Sequence, residues 1–206
     1  MSKQEDICGL LASRICHDLI SPIGAISNGI ELLELEPQLG RSAEIALVRE
    51  SVENAAARIR FIRVAFGMAG ESQYLARSEV QSLLADWLAH GRLAADWQVE
   101  GDHPRLEIRR VFLALMCLES ALPLGGLLRV TRGPASWVLN ARAARTRIEP
   151  GLWRLLTERA PYPPEELSPA RVQFLLLLCD LGASAAEVRL IEHEDGLDLE
   201  IPRRSA

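Results

Sequence analysis

The chain has 206 residues, 49% of them apolar and 25% charged, the composition of an ordinary globular protein rather than a disordered or purely coiled-coil one. A net charge of -5 and an isoelectric point near 5.5 weigh against a nucleic-acid binder, whose surface must attract phosphates. Met1 to Asp6 lacks the apolar core of a signal peptide, and the longest apolar run, Val111 to Leu118, is too short to span a bilayer, so the expectation is a soluble cytoplasmic protein.

From Ile7 to about Leu35 the apolar residues Ile15, Leu19, Ile23, Ile26, Ile30 and Leu33 recur at helical spacing, although Pro22, Gly24 and Gly29 interrupt the run. After a break at Pro37 and Gly40, the positions Ile45, Val48, Val52, Ala55, Ile59, Ile62 and Phe66 alternate steps of three and four, which predicts a second helix over 42–66 with a heptad seam. Two helices joined by a short loop form an antiparallel hairpin, and a hairpin alone cannot enclose a core. Dimerisation into a four-helix bundle is the simplest way to cover such seams, with burial against the rest of the same chain as the competitor.

The polar stretch from Gly70 to Arg77 marks a domain boundary, giving a helical hairpin over residues 1–72 and a second domain over 76–206. In the second domain Ser78 and Gln81 read as a capping box that starts a helix running to about His90. "RLAADWQVE" (92–100) reads as a strand and "HPRLEIRRVFLALMCLESAL" (103–122) as a long buried helix. "GGLLRVTRG" and "SWVLNARAA" read as a hairpin around Gly133-Pro134. A short helix near Leu152 to Arg159 follows, then the proline-rich loop "APYPPEELSP", the helix "ARVQFLLLLCDLGA", and a closing strand pair turning at Asp195-Gly196. The fold class is therefore α+β: a helical hairpin followed by an α/β sandwich whose mixed sheet is covered by helices on one face.

Cys8, Cys16, Cys117 and Cys179 show neither zinc-site spacing nor disulfide density and read as reduced core residues. Trp87, Trp97, Trp137 and Trp153 read as core, and His90, His103 and His193 as structural residues with no metal partner in view. Arg142, Arg145 and Arg147 are suited to a phosphate but more often form a solvated face.

The chemistry concentrates at His17. On a 3.6-residue helix its face is shared by Ser13, Arg14, Ser21, Gly24 and Asn28, with Ile20 the one apolar neighbour, while the apolar seam points elsewhere. An imidazole is substantially neutral near pH 7, nucleophilic through one nitrogen and a good leaving group once protonated, which suits it to carry a phosphoryl group. Asp18 follows directly and can orient the ring. Pro22, five residues on, disturbs the helix beside the site, and the small Ser21 and Gly24 keep the approach low. The plain alternative is a surface histidine in a kinked helix.

The string "HDLISP" resembles the phosphoacceptor box of the dimerisation and phosphotransfer domain of sensor histidine kinases. The longer "LASRICHDLISPIGAISNGIELL" (11–33) is similar to the ChpT-type histidine phosphotransferases of alphaproteobacteria. That resemblance implies a dimeric four-helix bundle carrying a degenerate kinase-like ATPase domain on each protomer. It implies shuttling of a phosphoryl group between receiver aspartates through His17, with Mg²⁺ supplied by the receiver and no cofactor or metal held by this chain. In its terms Asp18 orients the ring. Arg14 offers charge to the phosphoryl group or the receiver, and Ser21 occupies a phosphatase position of related kinases. Ser13, Ile20, Gly24 and Asn28 form the docking groove with part of the second helix, whose Arg49, Arg60 and Arg63 can steer the partner. The implied partners are the receiver of a hybrid kinase of the CckA type and response regulators of the CtrA and CpdR type, in control of the cell cycle.

The resemblance also makes a demand on the second domain. The two asparagine positions of the kinase nucleotide box fall at Met116 and Ser120, and "ARAARTR" (141–147) stands near the place of the adenine-reading loop. No glycine-rich phosphate loop occurs, and "PLGG" (123–126) reads as a turn. ATP-dependent kinase activity is therefore not expected. An ATP-dependent kinase core and a non-catalytic dimeric adaptor are the competing functions.

Overall fold

The computed structural model describes residues 19–20, 23–33, 35, 43–68, 70, 72–89, 91–160, 168–182 and 188–204. The expectations for Pro22, Cys8, Cys16 and His90 lie outside them. Residues 19–20 and 23–33 are helical (α1), and α2 runs over Ala43–Ala65, with Glu44 in its first turn and Arg63 in its last, where each charge suits the helix dipole.

Helix α2 is apolar on two sides. Ala57, Phe61, Val64 and Ala65 are buried within this chain, and Phe61 is sandwiched between Trp87 and Phe112 at centroid distances of 4.0 and 4.3 Å. The heptad row from Ile45 to Phe66 lies on the other side of the helix, and none of its members is fully buried. Burial against the rest of the same chain covers one face of α2, while the heptad face stays largely open.

The following elements are β1 (Tyr74–Leu75), α3 (Arg77–Leu88), β2 (Leu93–Trp97), β3 (His103–Pro104), α4 (Arg105–Ser120), β4 (Gly126–Arg132) and β5 (Ser136–Arg142). The chain closes with α5 (Pro150–Thr157), a single 3₁₀ turn, α6 (Val172–Leu181), β6 (Arg189–His193) and β7 (Gly196–Pro202). Strands β2-β4-β5-β7-β6 form one mixed sheet, in which β2 lies parallel to β4 and the other neighbours are antiparallel. Helix α4 is the hub: Ile108, Val111, Phe112, Leu113, Ala114, Leu115, Cys117 and Leu118 are fully enclosed, and burial pushes the Cys117 thiol pKa well up. The four tryptophans are buried as expected. The architecture is the α+β class read from the sequence. Among the described residues, no helix is long and apolar enough to cross a membrane.

Three local expectations are corrected. Ser78 does not cap α3: the residue before the helix is the extended Ala76, which has no capping side chain, and the Arg77 backbone N–H instead donates to Asp102 Oδ1 at 3.4 Å. The reason is non-local, since pairing of β1 with β3 brings Asp102 to the start of α3. The same pairing takes His103 and Pro104 out of the helix expected to begin there. The closing hairpin turns at Glu194-Asp195, and Gly196 is the first residue of β7. A side chain at Gly196 would place its Cβ 1.9 Å from the Ala141 carbonyl oxygen, so this glycine serves close strand approach rather than the turn.

One sheet face packs inward through Leu128, Val130, Trp137, Leu139, Leu197, Leu199 and Ile201. The other carries polar pairs. Asp198 accepts hydrogen bonds from Asn140 (2.8 Å) and Arg142 (2.7 Å) and lies 2.9 Å from His193 Nε2. Arg142 is therefore held in internal ion pairs with Asp198 and Asp195, while Arg145 and Arg147 are exposed. Burial alone would raise the Asp198 pKa, but the bonds from Arg142, Asn140 and His193 outweigh it and bring the pKa down to about 2 from 3.8. A depressed carboxyl stabilises the fold above its unfolded pKa and loses that contribution as the pH falls towards about 2. Urea titrations between pH 5 and pH 2 are expected to show a shallower acid-side loss in Asp198→Asn than in the wild type.

Candidate functional site

Helices α1 and α2 flank a groove of 290 Å³, lined by Ile20, Ile23, Gly24 and Ser27 on one side and Val52, Glu53, Ala56 and Arg60 on the other. Of the residues singled out in the sequence, Ile20 is half-buried at this groove, and Gly24 and Asn28 are exposed on α1. Ser13, Arg14, His17, Asp18 and Ser21 lie outside the described residues.

Gly24 is informative. A mid-helix glycine costs about 1 kcal/mol relative to alanine. Yet among the described residues a Cβ built on Gly24 would meet nothing within 4 Å, so none of them requires the missing side chain. The space it leaves opens onto the groove. Arg60, in the groove wall, reaches Asp86 Oδ2 of α3 with its Nη2 at 3.2 Å, on the exposed surface. This ion pair ties the groove wall to the C-terminal part of the chain. Ser27, Val52, Glu53 and Ala56 were not singled out as docking residues. Their 52, 53, 56, 60 spacing marks one helical flank, but a flank becomes a groove only when another helix lies beside it.

A second face of α1 is apolar and open. Leu19, Ile26 and Leu33, seven residues apart, are 45%, 50% and 45% exposed, and on α2 Leu47 and Val48 are 64% and 49% exposed. Gly29, beside this stripe, also has no neighbour within 4 Å of a built Cβ among the described residues. Isolated exposed leucines need no explanation, but a periodic row on adjoining helices does.

In the C-terminal part the two kinase-box positions are engaged within the fold. The Met116 carbonyl accepts a bond from Gln173 Nε2 of α6 at 3.5 Å, and Ser120 Oγ donates to the Cys117 carbonyl at 2.7 Å. Helix α6 is fastened along α4 by Asp180, which pairs with Arg110 at 2.8 Å and Arg109 at 3.4 Å. Buried His103 donates from Nε2 to the Glu100 carbonyl at 3.0 Å, meets Trp137 edge-on, and has its pKa lowered chiefly by burial.

Residues 77–195 match the histidine phosphotransferase C-terminal domain family. Over 183 residues the chain is 32% identical to protein phosphotransferase ChpT of Brucella abortus (strain 2308), covering 85% of this chain and 86% of that protein. The chain belongs to the histidine phosphotransferase family. Its fold matches the solved structure of a bacterial phosphotransferase with a TM-score of 0.68 and 25% identity, over 97% of each chain. A histidine kinase domain from Erythrobacter litoralis matches with a TM-score of 0.42 and 12% identity, over 89% of this chain and 94% of that one. As a histidine phosphotransferase the protein acts in a phosphorelay. The α1 residues that line the groove, Ile20 to Ser27, lie three to ten positions beyond His17 in sequence.

Proposed function

We propose that His17 carries the phosphoryl group and that the α1–α2 groove receives the receiver domains between which it passes. The neutral imidazole uses its free ring nitrogen to attack phosphorus of an aspartyl phosphate, the P–O bond to the aspartate breaks, and the carboxylate leaves. The proton on the other ring nitrogen is held by Asp18, which sets the tautomer and offsets imidazolium charge. The same steps in reverse deliver the group to a second receiver. The receiver's acidic cleft supplies Mg²⁺, and Arg14 faces the phosphoryl oxygens or the acidic rim of that cleft. On this reading Ser13, Ile20, Gly24 and Asn28 contribute to the docking surface, and Ser21 occupies a phosphatase position of related kinases. The donor is the receiver of a hybrid kinase of the CckA type, and the acceptors are regulators of the CtrA and CpdR type.

The observation that carries this reading is the unfilled space at Gly24, next to an open groove beside the predicted phosphoryl site. Incubation of the chain with a receiver carrying labelled aspartyl phosphate is expected to move label onto it as an acid-labile, alkali-stable adduct. A receiver that keeps all its label would support the adaptor function instead.

The open stripe of Leu19, Ile26 and Leu33, with Leu47 and Val48, supports a homodimer in which two hairpins form a four-helix bundle. A charge in such a seam loses its water without gaining a partner. Ile26→Glu is expected to shift the sedimentation coefficient from dimer to monomer while leaving the far-ultraviolet circular dichroism spectrum in place.

A further inference from the structure

On the flank of α2 opposite the docking groove lies a larger cavity of 590 Å³, within the usual size range of small-molecule sites. Asn54 and Arg58 of α2 form one wall, Trp87 at the end of α3 and Glu119 near the end of α4 form the others, and Arg92 and Gly125 close the rim. The two rim loops are fixed to each other. The Gly126 N–H donates to the Arg92 carbonyl at 3.0 Å, and a Cβ at Gly125 would fall 2.1 Å from that same oxygen.

The lining has the charge pattern of a binding site rather than of a closed ion-pair network. Among the described residues, the side chains of Asn54, Arg58, Arg92 and Glu119 make no hydrogen bond or ion pair. Glu119 is largely withdrawn from solvent, and burial raises its pKa even though Arg58 nearby acts in the other direction. Arg58 and Arg92 are exposed. The cavity therefore offers one carboxylate and two guanidinium groups that make no direct hydrogen bond among the described residues, with Arg58 near enough to Glu119 to act on its charge. A simple cation is repelled by the guanidinium groups and a simple anion by the carboxylate. The molecule that satisfies both has N–H donors at one end and an anionic group at the other. The indole of Trp87 with Leu93, Leu122 and Pro123 gives a planar donor head apolar surface to lie on.

We propose that this cavity binds a mononucleotide, with a donor edge of the base on the Glu119 carboxylate and the phosphate between Arg58 and Arg92. Guanine presents adjacent N–H donors that fit a carboxylate in bidentate fashion, whereas uracil flanks its single N–H with two carbonyl oxygens that the carboxylate repels. Neither of the kinase-type positions, Met116 and Ser120, is among the residues lining this cavity, which opens towards α2. A ligand held there touches α2 and the C-terminal part at once.

The test is calorimetric titration of the full chain with GMP, UMP and inorganic phosphate. GMP is expected to bind at one site per chain, with UMP and phosphate at least about tenfold weaker, the loss of one charge-assisted hydrogen bond. Glu119→Gln should abolish the preference for GMP over UMP. Arg58→Gln and Arg92→Gln should each weaken all three ligands, by about tenfold for GMP. Circular dichroism of each variant separates lost binding from lost fold, and the two exposed arginine positions provide variants that do not disturb the core. No heat of binding with GMP at millimolar concentration would overturn the proposal. So would phosphate binding as tightly as GMP, or GMP binding unchanged when Arg58→Gln, Arg92→Gln and Glu119→Gln are combined.

Discussion

The His17→Gln variant is expected to take up no label from a phosphorylated receiver, under conditions in which the wild type is labelled within the mixing time. Glutamine keeps a polar side chain of similar reach at position 17 but replaces a nucleophilic ring nitrogen with an amide whose lone pair is delocalised. It has no second nitrogen that can accept phosphorus and later release it. The expected effect is complete loss of the adduct rather than a slower rate, because transfer through a covalent intermediate has no bypass when the nucleophile is gone. Asp18→Asn separates carrier from helper. It should still form the adduct, with a transfer rate lower by about 10² if Asp18 sets the tautomer and charge of the ring. Equal binding of an unphosphorylated receiver to wild type and both variants would show that docking through Ile20, Gly24 and Arg60 is intact. Retention of label by His17→Gln would move the carrier role to another residue and remove the basis of the proposal.

What the sequence made legible follows from the range of the interactions involved. The β4–β5 hairpin is announced by Gly133-Pro134 between two alternating runs, and it forms there, with the Gly133 N–H donating to the Ser136 carbonyl at 2.9 Å. Helix α2 begins and ends within a residue of its periodic pattern. The cap of α3 was not legible, because Asp102 is 25 residues away and is brought there by two-residue strands too short to show alternation. Gly196 was misread for a related reason: a glycine beside an aspartate looks like a turn, whereas the closeness of Ala141 is a property of the folded sheet. At the candidate site, helical geometry placed Gly24 and Asn28 on an exposed flank away from the apolar seam, and both are exposed. The opposite wall of the groove was harder to name. Ala56 and Glu53 carry no chemical signature, and Val52 was already counted in the heptad row.

Phe61 is the residue whose loss should matter most to stability, and the heptad pattern conceals it. The seam positions Ile59 and Ile62 flank it in sequence, yet Phe61 points the other way, into a stack with Trp87 and Phe112 at near-parallel angles of 15° and 8°. It is wholly enclosed, and with Ala57, Val64 and Ala65 it forms the apolar face that joins α2 to α3 and α4. Phe61→Ala would remove the ring from between two others and leave a cavity that the rigid α4 hub is poorly placed to collapse. The expected cost is about 3–5 kcal/mol, a large part of the roughly 5–15 kcal/mol that holds a typical domain folded. Urea denaturation followed by tryptophan fluorescence measures it directly, since Trp87 reports on the contact. Phe61→Leu, which keeps most of the volume, should cost much less. Because the Arg60–Asp86 pair and the docking groove sit on the same stretch of α2, the alanine variant should also loosen the groove wall. Slower transfer from a receiver at a temperature where the variant is still folded would then report the mechanical link between the C-terminal part and the phosphotransfer helices. Transfer at the wild-type rate in a variant destabilised by the full amount would show instead that the hairpin holds its docking surface without support from the sheet domain.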